Sequence, residues 1–260
     1  MRRPEILMFH HVEPAPLEPP AQHPNSYLTP EQFAAMLDLL VARGFVGLSL
    51  AGALELATRR ALPRRSVVLT FDDGCRCFAD HAAPALAARG FSATLYAVTG
   101  ALGGTNEWDR AAGERTESLL AASELRELAA RGFEIGCHGR DHRDLTVLDD
   151  GQLEAETAGA KADLEAVLER PVTTFCYPYG RCDARARRAV RQAGFAAAVG
   201  IADHGVAAHG QRWALSRWSV GPGESAFELS LKITGRYRWW RRLPRLGLLA
   251  RLRRGPGAAP

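Results

Sequence analysis

Residues 67–78 read VVLTFDDGCRCF: an apolar, β-branched run ends in two adjacent aspartates and a glycine. Two neighbouring carboxylates at the end of a buried strand repel each other and are poorly solvated unless a cation compensates them. One aspartate could cap a following helix, which accounts for one acid well and for two poorly. A second stretch, FEIGCHGRDH (133–142), ends a strand-like run at His138 and places His142 four residues on. If that segment enters a helix, H-x3-H spacing puts both imidazoles on one face, where they can share a metal. Two histidines and one carboxylate hold a divalent ion while leaving positions open for water and substrate. Paired aspartates then have a purpose: one ligates, and its neighbour stays free to take a proton from water. Two more apolar runs end in turn or titratable residues, EILMF in His10-His11 and TTFCY in Pro178-Tyr179-Gly180.

The elements that must carry these groups are punctuated by a repeated signal. VARGF (41–45), AARGF (87–91), AARGF (129–133) and RQAGF (191–195) each follow a helix-like run. The glycine suits the left-handed position after a helix, and the phenylalanine opens the next segment. Before the first of them, Thr29, Pro30 and Gln32 in LTPEQF form an N-cap, a first-turn proline and a capping box. Strands are expected at EILMFH (5–10), SVVLTF (66–71), FSATLYAV (91–98), FEIGC (133–137), TTFCY (173–177), FAAAVG (195–200) and RWSV (217–220). Strands alternating with helices, and apolar throughout, predict an α/β fold whose parallel sheet is covered on both faces. A barrel and an open doubly wound sheet both fit, and both place ligands at the carboxyl ends of the strands.

The chain has 260 residues, 47% hydrophobic and 24% charged, enough for one large domain. Its net charge is +4, but residues 235–255, GRYRWWRRLPRLGLLARLRRG, hold eight arginines and no acid; set aside, they leave −4. The expected division is therefore a catalytic domain over 1–234 and a basic, Arg/Trp/Leu-rich tail over 235–260. No basic stripe crosses the body, which speaks against nucleic-acid binding. Arginines interleaved with Trp239, Trp240 and leucines suit a membrane surface or a partner protein, and equally a solvated final helix. The opening MRRPEILMFH has too short an apolar run for a signal core, and no run approaches the ~18 residues of a bilayer span. This reads as a cytoplasmic protein, peripheral to the inner face of the membrane if the tail binds there. The proline-rich HVEPAPLEPPAQHPNS (11–26) reads as an ordered loop or lid. The five cysteines fit a reducing compartment; Cys75, Cys77 and Cys137 read as small packing residues beside the site rather than as ligands.

At these residues the sequence resembles the polysaccharide deacetylase family, carbohydrate esterase family 4. TFDDG (70–74) matches its first motif, His138 and His142 its second, and FCYPYG (175–180) resembles its third. The resemblance implies a distorted (β/α) barrel of about seven parallel strands with the active site at the strand C-terminal ends. It implies Asp73, His138 and His142 as ligands of a divalent metal, usually Zn2+ with Co2+ or Ni2+ accepted, and Asp72 as general base. The implied reaction is hydrolysis of N-acetyl groups on N-acetylhexosamine units of a cell envelope polysaccharide or glycan intermediate, the oxyanion being held partly by a backbone N–H near Tyr179.

Two departures accompany the resemblance. Cys176 stands where the common family carries an arginine near the base, and no late Leu-x-His supplies the acid; His204 and His209 lie in a Gly- and Ala-rich stretch. The start, ILMFHHV, is similar to a segment of permuted exopolysaccharide N-acetylglucosamine deacetylases, which implies His10 as general acid with His11 as fallback. GGTNEWD (103–109) resembles a loop of that subgroup, so Trp108 or Asp109 could touch sugar, with Tyr179 and Pro178 also at the substrate. Arg217 reads as an ordinary surface salt bridge, with a pairing to Asp72 as the less favoured option. A small-molecule amidase on the same fold and a non-catalytic glycan-binding protein are the competing functions.

Overall fold

The computed structural model describes residues 4–14, 27–113, 115–201 and 212–242, without the side chains of residues 111, 112, 241 and 242. His204, His209, most of the proline-rich loop and residues 243–260 of the tail lie outside the described residues. All seven expected strands form: β1 (Glu5–Phe9), β2 (Ser66–Phe71), β3 (Thr94–Ala97), β4 (Glu134–Cys137), β5 (Thr174–Cys176), β6 (Ala197–Ile201) and β7 (Leu215–Ser219). They pair in chain order, all parallel, and β7 returns to pair with β1, so the sheet closes into a seven-stranded barrel. An α/β barrel, not an open sheet, is therefore the fold. A further short strand, Val46–Leu48, lies beside the first half of β2 (Val46 opposite Ser66), and β3 takes over that edge at Thr70.

The register divides the core in two. Successive strand residues point inward and outward, so Ile6 and Val68 face the lumen while Leu7, Phe9, Leu69 and Phe71 pack outward against the helices. Helix α1 (Pro30–Ala42) starts at the predicted capping box, with Thr29 and Gln32 exchanging hydrogen bonds of 2.9 and 3.3 Å. The four punctuating glycines, Gly44, Gly90, Gly132 and Gly194, all take positive φ.

Helix α2 (Leu50–Thr58) plugs the barrel floor, packing Leu50 and Ala53 onto the lumen cluster. Its first amides lack helical partners. The Ala51 N–H donates to Glu134 Oε2 at 2.7 Å and the Leu50 N–H to Thr94 Oγ1 at 2.8 Å. Thr94 and Thr174 hydroxyls also donate to Glu134, at 2.8 and 2.5 Å. The floor is thus sealed by one carboxylate whose lone pairs are filled by donors, beside the positive end of a helix. The proline-rich segment differs from expectation at its start: His11–Val12 is a short strand paired with Tyr27–Leu28.

Candidate active site

The site lies at the opposite, carboxyl end of the barrel, where the sequence delivers its titratable residues. β2 ends at Phe71, and the Asp72 N–H continues the ladder by donating to Phe9 O at 3.1 Å. The chain then turns sharply. Asp73 and Gly74 take φ of +70° and +77°, and the Gly74 N–H donates to Asp72 O at 2.9 Å. A left-handed aspartate is a strained conformation held by its surroundings. The turn lets both carboxylates face the barrel mouth, although successive strand residues point to opposite faces.

β4 ends at His138. The following HGRDH segment is not a helix, contrary to the condition that would put its imidazoles on one helical face. It is a loop, with Gly139 and His142 at φ +83° and +53°. The loop is shaped by Glu156, buried, whose carboxylate accepts from the Arg140 and Asp141 amides at 2.9 and 3.1 Å. Sequence reasoning missed Glu156. Its signal is a lone acid in the otherwise small, apolar segment AETAGA.

The loop brings the two rings together. His138 Nε2 and His142 Nε2 each lie 3.5 Å from Asp73 Oδ1, and one donor atom from each of the three residues lies within 4.8 Å of the others. The three are buried. His138 Nδ1 donates to Cys176 O at 2.9 Å, which fixes the ring and directs Nε2 at Asp73. His142 Nδ1 is buried with no hydrogen-bond partner among the described residues. Its ring stacks on Trp108 at 4.6 Å and meets Tyr179 edge-on at 4.7 Å. The donor set and geometry fit a divalent ion.

Asp72 is the second carboxylate and has a different environment. Arg217, from β7, spans it with two parallel bonds, Nη1 to Oδ1 at 2.6 Å and Nη2 to Oδ2 at 2.7 Å. This guanidinium is buried, so the expected surface salt bridge is incorrect; the partner is Asp72 and the pair is in the barrel lumen. The same Nη2 donates to Cys176 Sγ at 3.1 Å, and the thiol donates to Asp72 Oδ2 at 3.6 Å. The small Cys176 side chain leaves room for an arginine arriving from another strand.

His10 Nε2 lies 4.0 Å from Asp72 Oδ2, with a quarter of its side chain exposed at the mouth. His11 turns away. It stacks on Tyr27 at 4.3 Å, and its Nδ1 lies 4.0 Å from Cys77 Sγ. Pro178 and Tyr179 form a one-turn 3-10 segment in which Tyr179 takes φ +57° and remains 43% exposed. Trp108, in Glu107–Ala112, is half-buried and lies against His142, and its buried Nε1 has no hydrogen-bond partner among the described residues.

These contacts separate the titrations. Burial pushes the Asp72 carboxyl up, but the charge and hydrogen bonds of Arg217 outweigh it and hold Asp72 below the usual range. Asp73 is likewise held low against burial, by the His138 hydrogen bond and the His142 ring. His142 is lowered to about 3 by burial and then by its neighbour His138. Burial opposes the charged form of His138 too, yet the Cys176 sulfur and the Asp73 carboxylate outweigh it and raise His138. His10 is lowered, chiefly by burial.

A family model for polysaccharide deacetylases matches residues 59–198, just over half of the chain. The chain belongs to the polysaccharide deacetylase family. Like its family it is a deacetylase, a hydrolase that acts on glycans. It is 27% identical over 223 residues to YxkH of Bacillus subtilis strain 168, named as a polysaccharide deacetylase, spanning 85% of this chain and 72% of that one. Among solved structures it is similar to the Streptococcus pyogenes deacetylase PplD in complex with acetate (TM-score 0.74, 22% identity, 88% of this chain and 97% of that one). It is also similar to IcaB from Ammonifex degensii (TM-score 0.70, 24% identity, 90% and 96%). At these identities the structural likeness establishes the fold. The matched family segment contains the aspartate pair, both histidines and Tyr179; His10 and Arg217 lie on either side of it and reach the site because β1 and β7 close the barrel beside β2.

Proposed function

We propose that this polysaccharide deacetylase is a metal-dependent hydrolase that removes N-acetyl groups from N-acetylhexosamine units of a polysaccharide or glycan intermediate. The observation that carries this reading is the division of labour in the aspartate pair. Asp73 faces two imidazoles, while Asp72, one residue away, faces an arginine and His10. Asp73, His138 and His142 would hold a divalent ion, Zn2+ first with Co2+ or Ni2+ as alternatives, which supplies Lewis-acid polarisation of the acetyl carbonyl and acidifies water. Arg217 keeps Asp72 ionised, so Asp72 is the base that takes a proton from the attacking water. His10, 4.0 Å from Asp72 Oδ2 and partly exposed at the mouth, is the imidazole placed to give a proton to the leaving amine. His11 stacks on Tyr27 with Nδ1 toward Cys77, while His10 is the imidazole beside Asp72, which favours His10 over it. The Tyr179 turn supplies a backbone N–H to the oxyanion. Pro178 shapes that turn, and the exposed Tyr179 ring and Trp108 offer aromatic faces to a pyranose.

A cytoplasmic location, with the tail touching the inner membrane face, remains part of this proposal. Exposed Trp239 and Phe227, at 67% and 62%, support the membrane contact. Among the described residues no helix is long and apolar enough to cross a membrane.

The test is metal content together with acetate release from N-acetylglucosamine oligomers, for wild type beside Asp72→Asn and His10→Ala. We expect about one or more metals per chain in all three, with acetate release falling by about 10²–10⁴-fold in each variant. Unchanged turnover in a metal-loaded Asp72→Asn protein would sink the mechanism. Metal without acetate from any oligomer would move the substrate to a small amide.

A further inference from the structure

Four groups of buried or half-buried histidines, cysteines and acids bring three donor atoms within 4.8 Å of one another among the described residues. Two already hold a cation. Asp72, His138 and Cys176 surround the Arg217 guanidinium, which bonds both the carboxylate and the sulfur. His11, Glu13 and Glu117 lie beside Arg115, which pairs with both glutamates, at 3.0 and 2.5 Å. The third group is Asp73, His138 and His142. The fourth is His11, Asp73 and Cys75, all buried, and no arginine or lysine side chain bonds to any of them among the described residues.

We propose that His11, Asp73 and Cys75 form a second metal site, for a thiophilic divalent ion such as zinc, joined to the first through the Asp73 carboxylate. Asp73 faces both imidazoles of the first site with Oδ1, and a carboxylate has two oxygens with which to serve two ions. Imidazole, carboxylate and thiolate together suit zinc or cobalt and disfavour calcium or magnesium. A tetrahedral ion needs donor atoms roughly 3.3–3.8 Å apart, so a spread within 4.8 Å requires each to move by about 1 Å or less.

The His11 ring and the backbone around Cys75 are held in advance. Tyr27 stacks on the His11 ring with only 11° between planes, and the Cys77 sulfur lies 4.0 Å from His11 Nδ1, leaving Nε2 as the ligating nitrogen. The backbone on either side of Cys75 is fastened to a neighbouring segment, with the Arg76 N–H on Ser118 O and the Leu120 N–H on Gly74 O, both 2.9 Å. On this proposal Cys75 is a ligand, where its position in the sequence suggested a small packing residue. The second ion pins the carboxylate that also serves the first site, at the residue with the strained φ.

The inference shares Asp73 with the proposed hydrolytic site, so the test separates the two. Full-length reduced protein is stripped with a chelator and titrated with Co2+, reading metal per chain and the near-ultraviolet thiolate-to-cobalt band. We expect two ions per chain and that band in wild type. Cys75→Ser loses the band and drops to one ion. His138→Ala keeps the band and drops to one ion, and Cys77→Ser keeps the band. One ion per wild-type chain with no thiolate band overturns the second site alone. A band as the only signal, with one ion that persists in His138→Ala, overturns the hydrolytic site and leaves the second. Wild type is decisive even if a variant fails to fold.

Discussion

The barrel carries acids at both ends, and they are satisfied in opposite ways. At the floor, Glu134 accepts from an amide and two hydroxyls, so its charge is spread over neutral donors and the end of α2. At the mouth, Asp73 meets two imidazole nitrogens at 3.5 Å, and Asp72 meets a guanidinium. A carboxylate whose lone pairs are filled by fixed neutral donors closes a structure. One facing titratable nitrogens, on a strained backbone, is poised for a cation or a proton. The same residue class therefore seals one end of the barrel and keeps the other chemically open.

The largest way to break that contrast is Asp73→Ala, which removes the oxygen shared by His138 and His142. Acetate release should fall by on the order of 10³-fold or more, with bound metal lost, while the floor and the circular dichroism of the barrel are unchanged. Retained metal at full stoichiometry would show that Asp73 is not a ligand.

Arg217→Met tests the other mouth carboxylate. It strands Asp72 as an unpaired buried anion, at a cost of about 3–5 kcal/mol in denaturant unfolding. In wild type the folded pKa of Asp72 is lowered, so its stabilising contribution is present above the unfolded value near 3.8 and is lost as pH falls through the folded value. In the variant, burial acts unopposed and raises that pKa. The acid limb of the pH–rate profile should then move to higher pH, and an unmoved limb would refute the assignment of Asp72 as base.

Metal binding sharpens the contrast further. His138 is raised and His142 is lowered to about 3, so the metal-free site favours the charged imidazolium at His138 and the neutral ring at His142. An ion needs neutral imidazole, so binding should release the imidazolium proton, and affinity should rise about tenfold per pH unit below the raised His138 value. Calorimetry in buffers of different ionisation enthalpy measures the release.

The smallest effect is expected at the floor. Gln at 134 can still accept from Ala51 and donate to Thr174, so Glu134→Gln should change stability by within about 1 kcal/mol and leave acetate release and metal content alone. Burial raises Glu134, so wild type loses a little stability as pH rises from about 4.5 through the raised value, and the variant should not. A loss of activity comparable to that of Asp73→Ala would erase the distinction between the two ends.

Much of this was legible in the chain because it is local. A strand announces itself by its apolar run, a helix end by its Gly-Phe pair, and Asp72, Asp73, His138 and His142 by standing where those strands stop. The capping box at Thr29 needs only three residues of separation. Where local reading failed, it assumed a regular element. HGRDH is a loop because Glu156, 16 residues from Arg140, ties down its amides.

By itself the sequence determined which residues end each strand, and with them the family, the aspartate pair and the two imidazoles. Only the closed barrel decided what each carboxylate faces. Arg217 reaches Asp72 across 145 residues because β7 pairs with β1 and β1 with β2, a contact that leaves no periodicity or spacing in the chain. The same closure puts His10 at the mouth and turns His11 toward Tyr27, although the two are adjacent. Strand geometry sends neighbouring side chains to opposite sides, so the partner strands determine that His10 meets Asp72 while His11 packs on Tyr27 near Asp73 and Cys75.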